Sequence, residues 1–499
     1  MSAAGVDLGT GCMKVAIPDG FGNPVLLTDL QGASQTPTAM FVGTNPPLVG
    51  QAALNAMPQD PSKCILDGKR HMGTNDVLAV GPDGRKYRAK DWAATCLEYC
   101  KKVYHDKTGD VLQAVVIAIP ANYTQAQREQ VKEAAESVGL EVIVLVHEPT
   151  AAALGNQVQG RPDGLYLVVD IGAGTTDVSL VRKSGNSIDV IATRGIPDLG
   201  SIDIDSKLIE LAMNAYAAEY GAPPNLEQDR LLASDIRQRA EQCKQALSRT
   251  GTAMMVVSYQ GETTCVTVTQ EEFRKLVADW NQRVIDCVTT VLAESHVTPK
   301  DLAEVLAVGG GSFTYSFRES FEDAFGISPS SHCEAMYAAA YGAVIAGRME
   351  LERQNRPLMV GSTLVPPIRF FTREVTSHDI GVTVVTQDYQ RLLNSAILRR
   401  NTPIPCDRSA PFKLAGEGQT DARIELLQGE DGAERDKCLV MGHFDLSDLP
   451  PVHGSPHGFD IRLRIDRNGM LMAWAQDAPS GKTAELTVDY KAAGNPGKS

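Results

Sequence analysis

Two short stretches of the chain repeat one unusual pattern, and this repeat limits the folds that the sequence can adopt. "GVDLGTG" (5–11) and "VVDIGAGTT" (168–176) each end an apolar run on an aspartate and continue with small residues. The two aspartates, Asp7 and Asp170, lie 163 residues apart. Such a turn is either a plain hairpin turn or a loop whose backbone N–H groups bind phosphate. The duplication favours two similar halves that hold one polyphosphate between their loops.

The chain between the two repeats predicts buried strands that alternate with helices. "AVVIAIP" (114–120) is a continuous apolar run, which is typical of a strand buried on both faces of a sheet. Thr124 and Gln127 then form a capping-box pattern, and the helix that they start is expected to end at Gly139. Glu148 follows the next apolar run, at the strand end where α/β proteins bind ligands. A solvated loop acid is the alternative interpretation of Glu148.

A third glycine turn, Gly309 to Gly311, follows a strand that ends at Val308 and precedes a helix. It lacks the G-x-x-x-x-G-K-[ST] pattern of a P-loop, and it does not fit a dinucleotide-binding turn. The pattern alone therefore assigns no ligand to this turn.

The hydrophobic pattern changes its period after about residue 350. The stretch 353–370 is rich in proline and has no period, which is typical of a linker. "FDIRLRI" (459–465) then alternates apolar and charged residues, and Asn468-Gly469 is a strong hairpin signal. Short alternating strands of this kind predict an antiparallel β-sandwich.

Composition and charge exclude several classes of protein. The net charge of −14 argues against non-specific nucleic-acid binding, because such binding needs a basic surface. No run approaches the roughly 18 apolar residues of a membrane span. The first residues enter a strand pattern at once, so we expect no signal peptide and a cytoplasmic protein. The ten cysteines show neither C-x-x-C nor zinc spacing, so we expect free thiols and no structural metal.

Seven quoted segments, in this order, resemble the seventy-kilodalton heat-shock chaperone family over nearly the whole chain. They are "GVDLGTG", "GKRHMG" (68–73), the connecting stretch 118–155, "VVDIGAGTTDVSL" (168–180), and the sandwich segments "HDIGV" with "RRNTPIP" and "LLQGE". The resemblance implies an α/β fold, with an actin-like two-lobed ATPase domain followed by an antiparallel β-sandwich. The expected boundaries are 1–350 for the ATPase domain, 351–372 for the linker, 373–491 for the peptide-binding sandwich and 492–499 for a disordered tail.

The resemblance also implies ATP and Mg²⁺ as cofactors, with K⁺ as an optional further ion, and it assigns the site residues. The implied metal-site residues are Asp7 and Asp170. The implied catalytic residues are Lys69, Glu148, Asp170, Thr175 and Asp177. The other implied nucleotide-binding residues are Gly9, Thr10, Gly11, Gly172, Ala173, Gly174, Glu241, Lys244, Ser248, Gly310, Gly311 and Ser312. The implied peptide-binding residues are Val385 and Ala415 as an arch, Ala422 at the pocket floor, and Ile424.

The sequence departs from the family pattern at several of these positions. Gly11 stands where a second threonine is usual, and Cys333 where an aspartate is usual. Gln245 and Thr314 stand where two arginines normally flank adenine, so we expect ADP to leave faster than from a typical relative. The usual acidic-and-leucine linker motif is replaced by "RPLMVGSTLV" (356–365). The chain stops just after the last sandwich strand, so we expect no helical lid and rapid release of peptide.

These features predict an ATP-dependent chaperone that binds exposed hydrophobic peptides and hydrolyses ATP slowly. The implied partners are extended peptides, a J-domain co-chaperone and a nucleotide-exchange factor, with neither nucleic acid nor membrane. One alternative is a small-molecule kinase of the same fold, for which "GTGCMK" (9–14) is a faint signal. Two others are a filament-forming actin relative and an ATP-binding regulator without productive turnover.

Overall fold

The computed structural model describes residues 1–226, 228–330, 332–368, 370–386, 390–414, 419–449, 458–477, 481 and 483–488. Within them the chain forms several sheets with helices packed between and around them. The mixed α/β class predicted from the sequence is confirmed. The predicted tail, 492–499, lies outside the described residues.

The first large sheet contains the first of the two repeated turns. Its strands, in spatial order, are Glu141–His147, Ala114–Ile119, Ala3–Leu8, Cys12–Pro18 and Pro24–Leu27, with Thr36–Pro37 paired to Cys12–Pro18. The first three run parallel, and the hairpin after them is antiparallel. Ala3–Leu8 and Ala114–Ile119 are buried along their whole length, which explains their continuous apolar runs, because both faces of these strands are covered.

The second large sheet repeats this arrangement around the second turn. Its strands, in spatial order, are Leu302–Val308, Gly164–Ile171, Thr176–Ser184, Ser187–Ile196, Phe371–Val375 and Pro403–Ile404. Gly164–Ile171 pairs in parallel with Leu302–Val308 and antiparallel with Thr176–Ser184, as Ala3–Leu8 does with its own neighbours. The two aspartate turns of the sequence therefore lie in two sheets whose central strands pair with their neighbours in the same way.

Helices cover both sheets, and smaller strands complete the two lobes. The α-helices are Gln51–Ala56, Ala89–Thr108, Gln125–Ser137, Glu148–Gly155, Ser201–Tyr220, Arg230–Leu247, Gln270–Leu276, Ala278–Glu294, Tyr315–Phe325 and Ala338–Arg353. The 3₁₀ turns are Met57–Gln59, Pro61–Lys63, Gly68–His71, Val158–Gly160, Pro299–Asp301, Gly310–Phe313 and Arg435–Lys437. The smaller strands are Met40–Phe41, Leu48–Val49, Cys64–Ile65, Ala79–Val80, Lys86–Tyr87, Thr252–Tyr259, Glu262–Thr269, Met359–Val360 and Thr363–Leu364. None of the helices in the described part of the chain is long and apolar enough to cross a membrane.

The predicted capping box confirms how local sequence starts one helix. The Thr124 side chain accepts a hydrogen bond from the Gln127 N–H, and the Gln127 side chain accepts one from the Thr124 N–H at 2.7 Å. Two N–H groups that would lack partners at the helix start are thereby satisfied. The helix ends at Ser137, and Gly139 follows it with a φ of 75°, a conformation that glycine adopts without strain.

Two helices cross where the lobes meet, and they pack with almost no space between their backbones. A Cβ atom added to Gly342, in Ala338–Arg353, would lie 1.7 Å from the backbone oxygen of Ala151 in Glu148–Gly155. One added to Gly155 would lie 2.1 Å from the backbone oxygen of Ala338. The hydrophobic core around this crossing contains residues from both large sheets. The crossing therefore joins the two lobes, and Glu148 begins one of its helices.

The segment predicted as a linker has regular structure in its described part. The preceding helix continues to Arg353, and a two-stranded hairpin follows at 359–364. Phe371–Val375 then pairs in parallel with residues 187–189 of the second large sheet. This strand reaches from the linker into the first residues of the predicted sandwich, and it connects the C-terminal sheets to the second lobe.

Two antiparallel sheets at the C-terminal end enclose a separate core. One contains Leu392–Leu398, Ile380–Val385, Ala422–Gln428, Leu439–Leu446 and Thr487–Val488; the other contains Cys406–Lys413, Gly458–Ile465, Leu471–Gln476 and Thr483–Glu485. Side chains of both sheets share one hydrophobic cluster, to which Leu426, Phe444 and Ile461 belong. In Gly458–Ile465 burial alternates strictly, as the period of two predicts.

Candidate functional site

A cleft of about 550 Å³ lies against both glycine turns. Fourteen of the residues singled out from the sequence line it, namely Asp7, Gly9, Thr10, Gly11, Lys69, Glu148, Asp170, Gly172, Ala173, Thr175, Glu241, Lys244, Ser248 and Gly310. Residues far apart in the chain therefore meet at one concave site between the lobes. Such a cleft, with charged groups that converge on it, is the usual form of a small-molecule site.

Four other residues from the same prediction lie behind the cleft lining, and their contacts are structural. The Ser312 hydroxyl is fully buried and donates to the Gly309 backbone oxygen at 2.8 Å. Gly311 packs so closely on Ile171 that an added Cβ atom would lie 2.3 Å from Ile171 Cγ2. Gly174 abuts Thr10, and Asp177 accepts a hydrogen bond from the Ala121 N–H at 3.2 Å. These residues support the turns, and a direct role in binding remains a prediction.

The two turns close in the same way. The Gly9 N–H donates to the Cys12 backbone oxygen at 3.1 Å, and the Gly172 N–H donates to the Thr175 backbone oxygen at 2.9 Å. A Cβ atom at position 9 would lie 2.5 Å from the Cys12 oxygen, so only glycine fits there. Closed turns of small residues leave room for an anion to approach the backbone.

Buried charges surround the end of the cleft that lies against the first two glycine turns. The Lys69 ammonium lies 2.6 Å from Glu148 Oε1, and the Lys14 ammonium lies 2.8 Å from Asp7 Oδ2. Asp170 and Asp177 are buried beside these pairs and have no lysine partner of their own among the described ion pairs. These four carboxylates and two ammonium groups leave an excess of negative charge at this end of the cleft.

Burial, together with the neighbouring carboxylates, raises the pKa values of three of these acidic groups. Burial, with Glu148 and Asp7 nearby, raises the pKa of Asp170 to about 8. Burial, with Glu148 and Asp170 nearby, also holds the pKa of Asp177 well above its usual range. Burial raises the pKa of Glu148 even though Lys69 opposes this effect. A cation bound beside these carboxylates would stabilise their ionised forms.

The donor set fits Mg²⁺ held in part by a ligand. Mg²⁺ is usually bound by one or two carboxylates together with waters and substrate phosphates. Asp7 and Asp170 supply two carboxylates from the two repeated strands, and small residues beside them leave space for phosphate. In the described part of the chain, no group of three or more His, Cys, Asp and Glu side chains is arranged to hold a metal ion by itself. A metal at this site would therefore need water and phosphate ligands.

The stability of the nucleotide-free protein is expected to fall as the pH rises from 6 to 8. Folded Asp170 keeps its proton up to a pKa of about 8, whereas the unfolded carboxyl group loses it near its ordinary pKa of 3.8. The folded state thus holds more protons in this window, and one proton gives a slope of about 1.4 kcal/mol per pH unit. Urea unfolding at several pH values measures this slope. Asp170→Asn should make it shallower, and an unchanged slope would contradict the assignment to Asp170.

The other end of the cleft is lined by one helix and by the third glycine turn. Glu241 accepts a hydrogen bond from the Gln245 amide at 3.2 Å. The Lys244 ammonium contacts Asp205 at 2.7 Å and the Ser201 backbone oxygen at 3.0 Å, so it joins two helices beneath the cleft. Gly310 lies in the 3₁₀ turn Gly310–Phe313.

Several lining residues were given no role in the sequence analysis, and three of them carry a charge or an aromatic ring. They are Lys14, Arg249 and Phe313. Phe313 is 47% exposed, whereas its neighbour Thr314 is only 3% exposed. Thr314 was the residue expected to flank adenine. An aromatic residue directly after a glycine turn was the available signal for Phe313. A lysine in an otherwise apolar strand beside Asp7 was the signal for Lys14.

The predicted peptide-binding residues are described only in part. Val385 ends Ile380–Val385 and pairs with Leu392, which is 48% exposed. Ile424 is buried in the core between the two C-terminal sheets. Ala415 lies outside the described residues, and for Ala422 only the backbone is described, paired with Leu446. The peptide-binding role of these residues remains a prediction.

The sequence matches a known protein family over nearly its whole length. The family described as Hsp70 protein matches residues 3–497, which is nearly the whole chain. Proteins of that family are in general chaperones and ATPases that bind ATP with Mg²⁺. Two matching phosphate-type turns, a buried lysine and an excess of carboxylates fit that activity. The chain therefore belongs to the Hsp70 family.

Proposed function

We propose that this protein is an ATP-dependent chaperone that binds extended hydrophobic peptides and couples their binding to slow, Mg²⁺-dependent hydrolysis of ATP. Its ATPase part, residues 1–350, would be an actin-like pair of lobes, and residues 373–491 would be a peptide-binding β-sandwich. The observation that carries the proposal is the cleft in which two equivalent turns meet a buried lysine and an excess of carboxylates.

In this proposal the side chains of the cleft position the polyphosphate for attack by water. Asp7 and Asp170 would hold Mg²⁺ and its waters, and Mg²⁺ neutralises charge on the phosphates. Lys69, kept charged by Glu148 at 2.6 Å, would bind the γ-phosphate. Thr10 and Thr175 would donate their hydroxyl groups to phosphate oxygens. Glu148 and Asp177 would orient the attacking water, since phosphoryl transfer depends mainly on positioned charge.

A network of hydrogen bonds supports coupling between the cleft and the C-terminal sheets. His147 immediately precedes Glu148, and its Nδ1 lies 2.9 Å from Glu374 Oε2 in Phe371–Val375. His147 Nε2 lies 2.9 Å from the Arg128 guanidinium, which also donates to the Asn468 backbone oxygen at 3.5 Å. Burial lowers the pKa of Arg128 to about 10. Groups so buried cost free energy when they separate from their partners, so the network favours a docked arrangement.

The strand that ends beside the cleft also contacts the hairpin turn of the C-terminal sheets directly. The Leu145 N–H donates to the Asn468 side-chain oxygen at 3.2 Å. The Gln125 side-chain oxygen accepts a hydrogen bond from the Leu471 N–H at 2.9 Å. A shift of this hairpin would therefore be transmitted to the strand that carries Glu148 at its end.

The decisive experiment is steady-state ATP hydrolysis with and without an extended hydrophobic heptapeptide. The proposal expects slow turnover that needs Mg²⁺ and that rises when peptide is added. Turnover that peptide leaves unchanged would separate the two activities and favour a regulator that does not use peptide. Phosphate transfer to a small-molecule hydroxyl, with no release of free phosphate, would favour a kinase.

Asn468→Ala is expected to reduce the peptide stimulation of turnover several-fold while basal turnover stays unchanged. The substitution removes the hydrogen bond from the Leu145 N–H to the Asn468 side chain, and one such bond contributes about 0.5–1.5 kcal/mol. This corresponds to a change of roughly two- to tenfold in the docked population. Turnover at saturating ATP, with and without peptide, measures it. Arg467→Ala, in the same turn but exposed, is the control. Equal loss in both variants would mean that the turn acts only structurally.

A further inference from the structure

Besides Lys69 and Lys244, the cleft contains a further buried lysine whose role is not accounted for by the proposed chemistry. Lys14 lies in Cys12–Pro18 and lines the cleft. It stands directly across the hairpin from Asp7, and its ammonium lies 2.8 Å from Asp7 Oδ2. Both side chains are close to nine-tenths buried, at 12% and 10% exposed. A lysine this deep beside a proposed metal-site aspartate needs an explanation.

The equivalent hairpin of the second lobe shows what is unusual about Lys14. There Asp177 stands directly across from Asp170, in the same register that places Lys14 across from Asp7. The second lobe thus presents two carboxylates at this position of the repeat, and the first lobe presents a carboxylate paired with an ammonium. A cation would therefore be attracted to the second-lobe side of the cleft, and an anion can approach the first-lobe side.

The hydrogen bonds of Lys14 leave donors for a ligand. An ammonium group carries three N–H donors. Among the described residues, Asp7 is the one acceptor that the Lys14 ammonium contacts. Because Lys14 lines the cleft beside Gly9, Thr10 and Gly11, its remaining donors lie next to the turn that would hold phosphate. A phosphate oxygen at this turn would complete its coordination without breaking the bond to Asp7.

We infer that Lys14 is a phosphate-binding residue of the first lobe, which bridges Asp7 and the inner phosphates of a nucleoside diphosphate or triphosphate. The inference rests on the proposed function, because it assumes that the cleft binds a nucleotide. Lys14 is a positioning residue in this role, since it fixes the phosphate chain and does not contact the attacked bond. Its charge also supplies part of the neutralisation that Mg²⁺ otherwise provides. Binding of nucleoside diphosphate without Mg²⁺ therefore depends on Lys14 most strongly.

Isothermal titration of Lys14→Met with ADP and with adenosine tests this inference. Methionine keeps the length of the side chain and removes its charge. In EDTA, the affinity for ADP should fall at least tenfold, and with saturating Mg²⁺ it should fall by a smaller factor. The affinity for adenosine, which has no phosphate, should change less than twofold. Lys14→Arg should restore part of the ADP affinity, and Lys102→Met, an exposed lysine on Ala89–Thr108, should change nothing.

Each other outcome has a distinct meaning. If Lys14→Met binds ADP in EDTA as tightly as the unaltered protein, or more tightly, Lys14 serves only to pair Asp7 and the inference fails. An equal loss of ADP and adenosine binding in Lys14→Met would mean that the cleft is damaged. The double variant Lys14→Met/Asp7→Asn then decides whether Lys14 binds phosphate. This double variant removes both members of the pair, and it should still bind ADP weakly and adenosine normally. If the unaltered protein does not bind ADP at all, the proposed function itself fails.

Discussion

Lys69→Ala is expected to lower the turnover number for ATP hydrolysis roughly a hundredfold or more, which is the typical loss when a positioned charge at a developing oxyanion is removed. Lys69 is 7% exposed, lines the cleft and lies 2.6 Å from Glu148. Burial by itself would lower the pKa of Lys69, but Glu148, Tyr123 and Asp7 together raise it, so the side chain stays positively charged. The measurement is steady-state phosphate release with saturating ATP and Mg²⁺.

The affinity for ADP separates a catalytic loss from a folding defect in this variant. Removal of Lys69 leaves Glu148 buried without its partner, which destabilises a protein. Lys69 is assigned to the γ-phosphate, so Lys69→Ala should bind ADP within about threefold of the unaltered protein if its cleft is intact. Lys63→Ala is the matched control, because Lys63 lies in a nearby 3₁₀ turn and does not line the cleft. Unaltered turnover in Lys69→Ala, with ADP binding retained, would disprove the assignment.

Local patterns predicted those parts of the fold that neighbouring residues determine. The capping box of Thr124 and Gln127 and the strict alternation along Gly458–Ile465 both depend on residues a few positions apart. The repeated aspartate turns were also readable, because each is one hairpin with its own closing hydrogen bond. The nucleotide-binding residues themselves were assigned by the family resemblance, and most of them line one cleft.

The remaining features depend on contacts with residues that are distant in the chain, or on the exposure of a side chain. A local sequence pattern contains neither kind of information. Phe371–Val375 follows a proline-rich stretch, and its pairing partner is residues 187–189 of the second lobe. Arg128 lies in a helix of polar sequence, yet it is buried because His147 and the turn at Asn468 cover it. The exposure of Phe313 depends on the packing of the third glycine turn against Ile171. Tertiary packing decides each of these features.

Gly342→Ala is expected to lower the free energy of unfolding by about 3 kcal/mol or more, at the upper end of the usual cost of overpacking. The added methyl carbon would lie 1.7 Å from the Ala151 backbone oxygen and 2.3 Å from its carbonyl carbon. Backbone atoms in the middle of a helix do not give way as a flexible side chain would, so the two crossing helices must separate. Urea unfolding, followed by circular dichroism, measures the loss.

The same substitution should also slow ATP hydrolysis in the molecules that remain folded, because Glu148 begins the helix that Gly342 would displace. A shift of about 1 Å in a positioning group is enough to cost roughly a hundredfold in rate. Gly251→Ala is the control, since an added Cβ atom there meets nothing within 4 Å. A loss of stability below about 1 kcal/mol in Gly342→Ala would show that the helices separate at little cost. The crossing would then not be what fixes the position of Glu148 beside Lys69.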